Sequence, residues 1–182
     1  MRRPPVLVVL VAVLMIAIGE TAGAVMSQLR SQTERFARAR IEAKRDVHGL
    51  TGSREYDDEV VGRAVFAAEA GLSFMHTHAE GLGPMVLVAT TLTASLVASR
   101  RLRGVLYVLF TLGAVFPLGY LAYGLAVLEW GRDDGTVLVE NYVLTPLGSA
   151  AIAGLVVLLV AMVRGPRRPA LSPDAGSAPG PA

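Results

Sequence analysis

The chain has 182 residues, 53% of them hydrophobic and 18% charged, with a formal net charge of +2 and a mean hydropathy of +0.51. That apolar excess is high for a soluble domain, and the absence of cysteine excludes disulfides, thiolate metal sites, iron–sulfur clusters and covalently attached haem. The charges sit in loops rather than in a basic stripe interleaved with aromatics, so nucleic acid is not an expected partner.

The apolar residues gather in four runs, which predict transmembrane helices over about 6–26, 78–98, 105–128 and 143–163. Spanning hydrocarbon takes ~20 mostly apolar residues at ~1.5 Å each. The second run reaches that length only if its helix extends through the histidines at 76 and 78. The expected fold is therefore all-α: an integral membrane four-helix bundle occupying residues 1–164. Residues 165–182, rich in proline, glycine, alanine and serine, read as a disordered cytoplasmic tail.

Arginines orient the chain. Arg2 and Arg3 precede the first run, Arg100, Arg101 and Arg103 fill the turn between the second and third, and Arg164, Arg167 and Arg168 follow the fourth. The positive-inside rule then places both termini and this turn in the cytoplasm of a multi-pass cell-membrane protein. The first run also resembles a secretory signal, with Ala22-Gly23-Ala24 as a cleavage site; cleavage of residues 1–24 would leave three spans without flipping the rest.

Between the first two spans, residues 27–75 contain one turn signal, around His48–Ser53, and no proline. Leu29, Phe36, Ala43 and Val47 recur at heptad-like spacing. Val61, Val65, Ala68, Leu72, Met75 and Ala79 alternate steps of four and three, as in a coiled-coil seam. The pattern predicts helix 1 running from about Val6 to Val47 and helix 2 from about Arg54 to Ala98. Ser53 would be the N-cap, and the pair would form an extracytoplasmic helical hairpin. His48 at the tip reads as an exposed turn residue. An irregular loop with short surface helices is the competing reading. Small residues at Gly113, Gly119, Gly124, Gly148, Ala151 and Gly154 suit close helix packing.

Counted at ~1.5 Å per residue from the arginine clusters, Glu20, Glu80, His78, Tyr120, Tyr123 and Tyr142 fall at one height, about 25–33 Å from the cytoplasmic side, with His76 somewhat higher. Polar groups at that depth are costly and often functional. The tyrosines also suit an interfacial aromatic belt. Folding the hairpin about its glycines pairs Met26 with His76 and brings Glu20 close to Glu80, facing the bundle. On a helix, His76 and His78 point ~200° apart and cannot chelate one ion, whereas His76 and Glu80, four apart, share a face and could co-ligate a divalent metal.

The stretch Phe74–Gly83 has the pattern His-x-His-x-x-x-Leu-Gly. It resembles the haem-ligand helix of haem–copper oxidases, above all the cbb3-type catalytic subunits and their nitric-oxide-reductase relatives. The resemblance covers about ten residues and implies haem b as cofactor. His76 takes the place of the high-spin haem ligand and His78 that of the low-spin ligand. No second-helix histidine and no histidine trio for copper are present, so the chain lacks what full oxidase chemistry needs. Met26 is the internal candidate for a sixth haem ligand.

Three functional readings follow. The first is a haem or metal site near the outer membrane face, in a redox or respiratory-accessory protein. The second is a structural or assembly subunit docking another membrane subunit, or a second copy of itself, through its hairpin. The third is a small transporter or proton-path component. No serine or cysteine nucleophile sits beside a usable His–Asp pair, so nothing points to a stand-alone enzyme.

Overall fold

The computed structural model describes residues 3–165. Arg2, Arg167, Arg168 and residues 166–182 of the tail expected to be disordered lie outside the described residues.

All the regular structure among these residues is helical: α1 (Val6–Gln28), α2 (Arg30–Ala43), α3 (Arg54–Leu96), α4 (Arg100–Trp130), α5 (Arg132–Val139) and α6 (Thr145–Arg164). A π-helical turn, Glu140–Leu144, joins α5 to α6 without a break. Four segments are long and apolar enough to cross a membrane, namely α1, α3, α4 and the α5–α6 run. Such segments fold as helices because lipid offers no partner for backbone N–H and C=O groups, so each must be satisfied within its own segment.

α3 is the spine of the bundle. Its 43 residues span roughly 65 Å, about twice a hydrocarbon core. It packs on α1 along one side and on α4 along the other, and α4 in turn packs on α6 and α5. Arg100, Arg101 and Arg103, expected in the link between helices, instead form the first turn of α4, and beside them Val8, Ala12, Val86, Ala89, Leu106, Phe110 and Leu158 form one core. Thr90 and Thr93 are fully buried there and return their hydroxyls to the Val86 and Ala89 carbonyls of their own helix, 2.8 Å away in each case. At the opposite, distal end a second core joins Ala37 and Ile41 of α2 with Val61, Ala64 and Val65 of α3 and Val127 and Leu128 of α4.

Small residues set the helix spacing. A Cβ built on Gly71 would lie 2.7 Å from the Tyr120 carbonyl oxygen, and one on Gly124 would lie 2.9 Å from that of Ala68, so the α3 and α4 backbones touch. Gly113 sits against Ala151, and Gly154 against Phe110, as close packing of α4 and α6 requires.

Several sequence expectations need correction here. Helix 1 does not continue to Val47: it breaks at Leu29, whose φ of −117° and ψ of 18° leave the helical region, and α2 ends at Ala43. The break turns α2, so its buried face is Ala37 and Ile41 rather than the seam of Leu29, Phe36, Ala43 and Val47. Leu29, Phe36 and Val47 are exposed by 43%, 61% and 49%. The α3 seam is present but wider, with Ala64, Ala67 and Gly71 buried alongside Val61, Val65, Met75 and Ala79. α3 ends at Leu96, not Ala98. Ser53 occupies the N-cap position without a side-chain cap bond. The Asp57 carboxylate instead reaches back and accepts the N–H groups of Thr51 and Gly52 at 2.8 and 3.0 Å. Residues 132–139, which fall between the expected third and fourth spans, are helical, after Gly131, at φ 81°, reverses the chain. α5 then lies close against α4, with Gly135 under the Ala126 carbonyl.

Candidate functional site

The two histidines of α3 do face opposite neighbours. His76 points at α1, where its Nδ1 lies 2.9 Å from the Gly19 carbonyl oxygen, so that nitrogen carries the proton and donates. Its Nε2 is 3.5 Å from a Glu80 carboxylate oxygen one turn along the helix. The ring lies over Gly23, where a built Cβ would come within 2.7 Å of Cε1. Gly19 and Gly23 thus open the space on α1 that the imidazole fills.

His78 points at α4. Its Nδ1 donates to the Phe74 carbonyl oxygen of its own helix at 2.8 Å. The ring centroid lies 4.7 Å from that of Tyr120, tilted 35°, and 5.5 Å from that of Phe116, edge to face. Phe74 completes the cluster, 5.4 Å from Tyr120. These separations are those of favourable aromatic pairs.

The rest of the supposed polar layer is dispersed. Glu20 is exposed on the outer surface of α1 rather than facing the bundle, and it makes no side-chain hydrogen bond among the described residues. Its position follows from Gly19 and Ala22, which take the buried face of α1 and leave residue 20 outside. Tyr142 is 76% exposed on the π-helical turn, and Tyr123 packs on the distal core. Met26 does not oppose His76. The α1–α3 contacts pair Gly19 with Ala79 and Gly23 with His76, about one helical turn out of the expected register, because the chain breaks at Leu29 instead of folding once about its glycines. Met26 lines a lateral groove that includes neither His76 nor His78.

These donors do not fit a haem. His76 Nδ1 is bonded to the Gly19 carbonyl and its Nε2 faces the Glu80 carboxylate, the His78 ring is packed among three aromatic side chains, and Met26 belongs to the groove. Among the described residues no group of three or more histidine, aspartate or glutamate side chains could hold a metal ion. His76 and Glu80 do lie side by side on α3, 3.5 Å apart, but it is the bond from His76 Nδ1 to the Gly19 carbonyl that fastens α3 to α1.

A polar brace at the distal end was missed from sequence. Glu129, just past the apolar part of α4, accepts from Arg40 Nε at 2.5 Å and Arg40 Nη2 at 2.8 Å, and its Oε2 lies 2.7 Å from Lys44 Nζ. His48, expected to be exposed, is 9% exposed and its Nε2 lies 3.2 Å from the Leu128 carbonyl oxygen. The only sequence signal was an acidic residue closing an apolar helix opposite a basic arm. Hydrogen bonds from Arg40 and then Lys44 hold the Glu129 carboxyl down to about 2.

Because the folded value lies below the unfolded one, the brace is intact above about pH 4.5 and is lost as pH falls toward 2. At Asp57 burial pushes the carboxyl up, but bonds from Thr51, Gly52 and Arg45 outweigh it and hold the group below its ordinary value. Trp130, the sole tryptophan, adjoins Glu129. Its fluorescence is expected to show an acid transition in this window that Glu129→Gln lacks; a transition unchanged in the variant would rule the brace out as its source.

Comparison with protein-family models, with curated proteins and with solved structures finds no match to this chain.

Proposed function

We propose that this chain is a non-catalytic membrane subunit that docks a second membrane protein through its distal end. In this reading the distal end is extracytoplasmic, and both termini and the Arg100–Arg103 turn are cytoplasmic. The observation that carries it is the braced but incompletely covered distal surface. The Glu129 brace fixes α2 on α4, yet Trp130 and Val47 remain 54% and 49% exposed and line one cleft of about 370 Å³ with Val60. At ~1.5 Å per residue Trp130 stands roughly 45 Å from Arg100, beyond a hydrocarbon core of about 30 Å and above the level of an interfacial aromatic belt. A rigid, solvent-side surface that leaves a tryptophan bare has the character of a protein contact.

Glu20 supports the same reading. It is an exposed carboxylate within the apolar stretch of α1, and ionisable groups at such depth normally find a partner. A neighbouring subunit would supply one. The same outward placement weakens the proton-path reading, which needs Glu20 inside the bundle. The haem-site reading is weakened by the engagement of its donors.

A photo-crosslinking side chain placed at Trp130 or Val47 in native membranes should give one discrete adduct, heavier than a dimer of this chain, and none from Glu42. Equal smears from all three positions, or none, would defeat the proposal, and a dimer-sized adduct would replace the partner by a second copy. For orientation, cysteines at Ser53 and Asp133 should label from outside intact cells and one at Gly104 should not.

A further inference from the structure

The lateral groove between α1–α2 and α3–α4 has a volume of about 580 Å³. Its walls are apolar, formed by Met26, Phe36, Phe66, Phe74 and Leu125 among others, and Phe36 and Phe66 are 61% and 74% exposed. Two charged side chains also line it, Arg30 from the start of α2 and Glu69 from α3. Neither forms an ion pair within 4.0 Å among the described residues, with the other or with any third group. At ~1.5 Å per residue both stand roughly 37–41 Å from the arginine-turn face, at the level of lipid headgroups on the far side.

We infer that this groove is a binding site for one zwitterionic phospholipid with a primary ammonium, the phosphatidylethanolamine type. Its phosphate is taken by Arg30, its ammonium by Glu69, and an acyl chain lies along the phenylalanine wall. An unpaired cation and an unpaired anion presented to one apolar groove complement a headgroup that carries both charges. A neutral isoprenoid would leave both unsatisfied, and an anionic lipid would meet Glu69 with like charge. The groove is continuous with the lipid-facing surface, so its ligand enters sideways from the bilayer. The height argument needs a membrane-spanning bundle but not a docking partner, so this site and the proposed docking function can fail separately.

The experiment is native mass spectrometry of the full chain, delipidated in detergent and then offered dioleoyl phosphatidylethanolamine, phosphatidylcholine or phosphatidylglycerol. One phosphatidylethanolamine per chain should be retained about tenfold better than either competitor, as one charge-assisted contact implies. Glu69→Gln should bring phosphatidylethanolamine level with phosphatidylcholine, since a quaternary ammonium cannot donate to the carboxylate. Arg30→Gln should weaken both, and Leu125→Trp should block retention by filling the groove without touching a charge. Equal retention of all three lipids, insensitivity to Glu69→Gln, or retention undiminished in Leu125→Trp would each overturn the assignment. So would preferential retention of a neutral quinone.

Discussion

Gly71→Ala and Gly124→Ala are each expected to destabilise the folded bundle by about 1–3 kcal/mol, the cost of overpacking a tight contact. The new methyl at position 71 would lie 2.7 Å from the Tyr120 carbonyl oxygen and 2.9 Å from the Gly124 nitrogen. The one at position 124 would lie 2.9 Å from the Ala68 oxygen. In each case the obstacle is backbone of the facing helix, with no flexible side chain to swing aside, so α3 and α4 must separate along a shared stretch. Because the two glycines make one contact from opposite sides, the double variant should cost less than the sum of the singles. Gly62→Ala and Gly81→Ala provide the opposite sign. Nothing lies within 4 Å of a Cβ at either position, and alanine in a helix interior gains roughly 0.5–1 kcal/mol over glycine. The check is the midpoint of thermal inactivation in detergent, read as loss of the monodisperse species. A Gly71→Ala variant as stable as the parent would mean that α3 and α4 are not in backbone contact there.

The parts of this architecture that the sequence made legible are those governed by one-dimensional patterns. The four apolar runs need only enough hydrophobic residues in a row, and the α3 seam from Val61 to Ala79 needs only their spacing. The opposed placement of His76 and His78 follows from helix geometry alone. What could not be read was register. No glycine or proline marks the break at Leu29, so the pairing of α1 with α3 was set by a single fold about Gly49 and Gly52. The two helices pair one turn away from that register, with Gly23 rather than Met26 opposite His76 and Met26 in the groove. The same missing break exchanged the faces of α2. The Glu129 brace joins residues 85–89 positions apart, a pairing that spacing arguments do not reach. The extension of α6 back to Arg132 was hidden because Asp133 and Asp134 resemble a loop composition yet suit the first turn of a helix, where their charge meets the positive end of the dipole.

The two histidines should separate under substitution, and for reasons of packing rather than ligation. His76→Ala removes the donor to Gly19 and empties the space over Gly23, so the α1–α3 contact should loosen by about 1–2 kcal/mol, the scale of an interhelical hydrogen bond in a membrane. Disulfide trapping between cysteines placed at Ile16 and Gly83, which face each other across that contact, should then slow in His76→Ala and stay at the parental rate in His78→Ala. His78→Ala removes the ring stacked on Tyr120 and edge-on to Phe116, so its effect should appear instead in the near-ultraviolet signal of the Tyr120 environment. Haem provides the discriminating control. Protein purified with haem supplied should show no Soret band, because His76 is fastened to Gly19 beside Glu80 and the His78 ring is packed among Phe74, Phe116 and Tyr120. Met26→Leu should be spectrally silent for the same reason. A Soret band lost in one histidine variant and kept in the other would show that a ligating histidine leaves its present partners, and it would restore the haem site over the docking subunit.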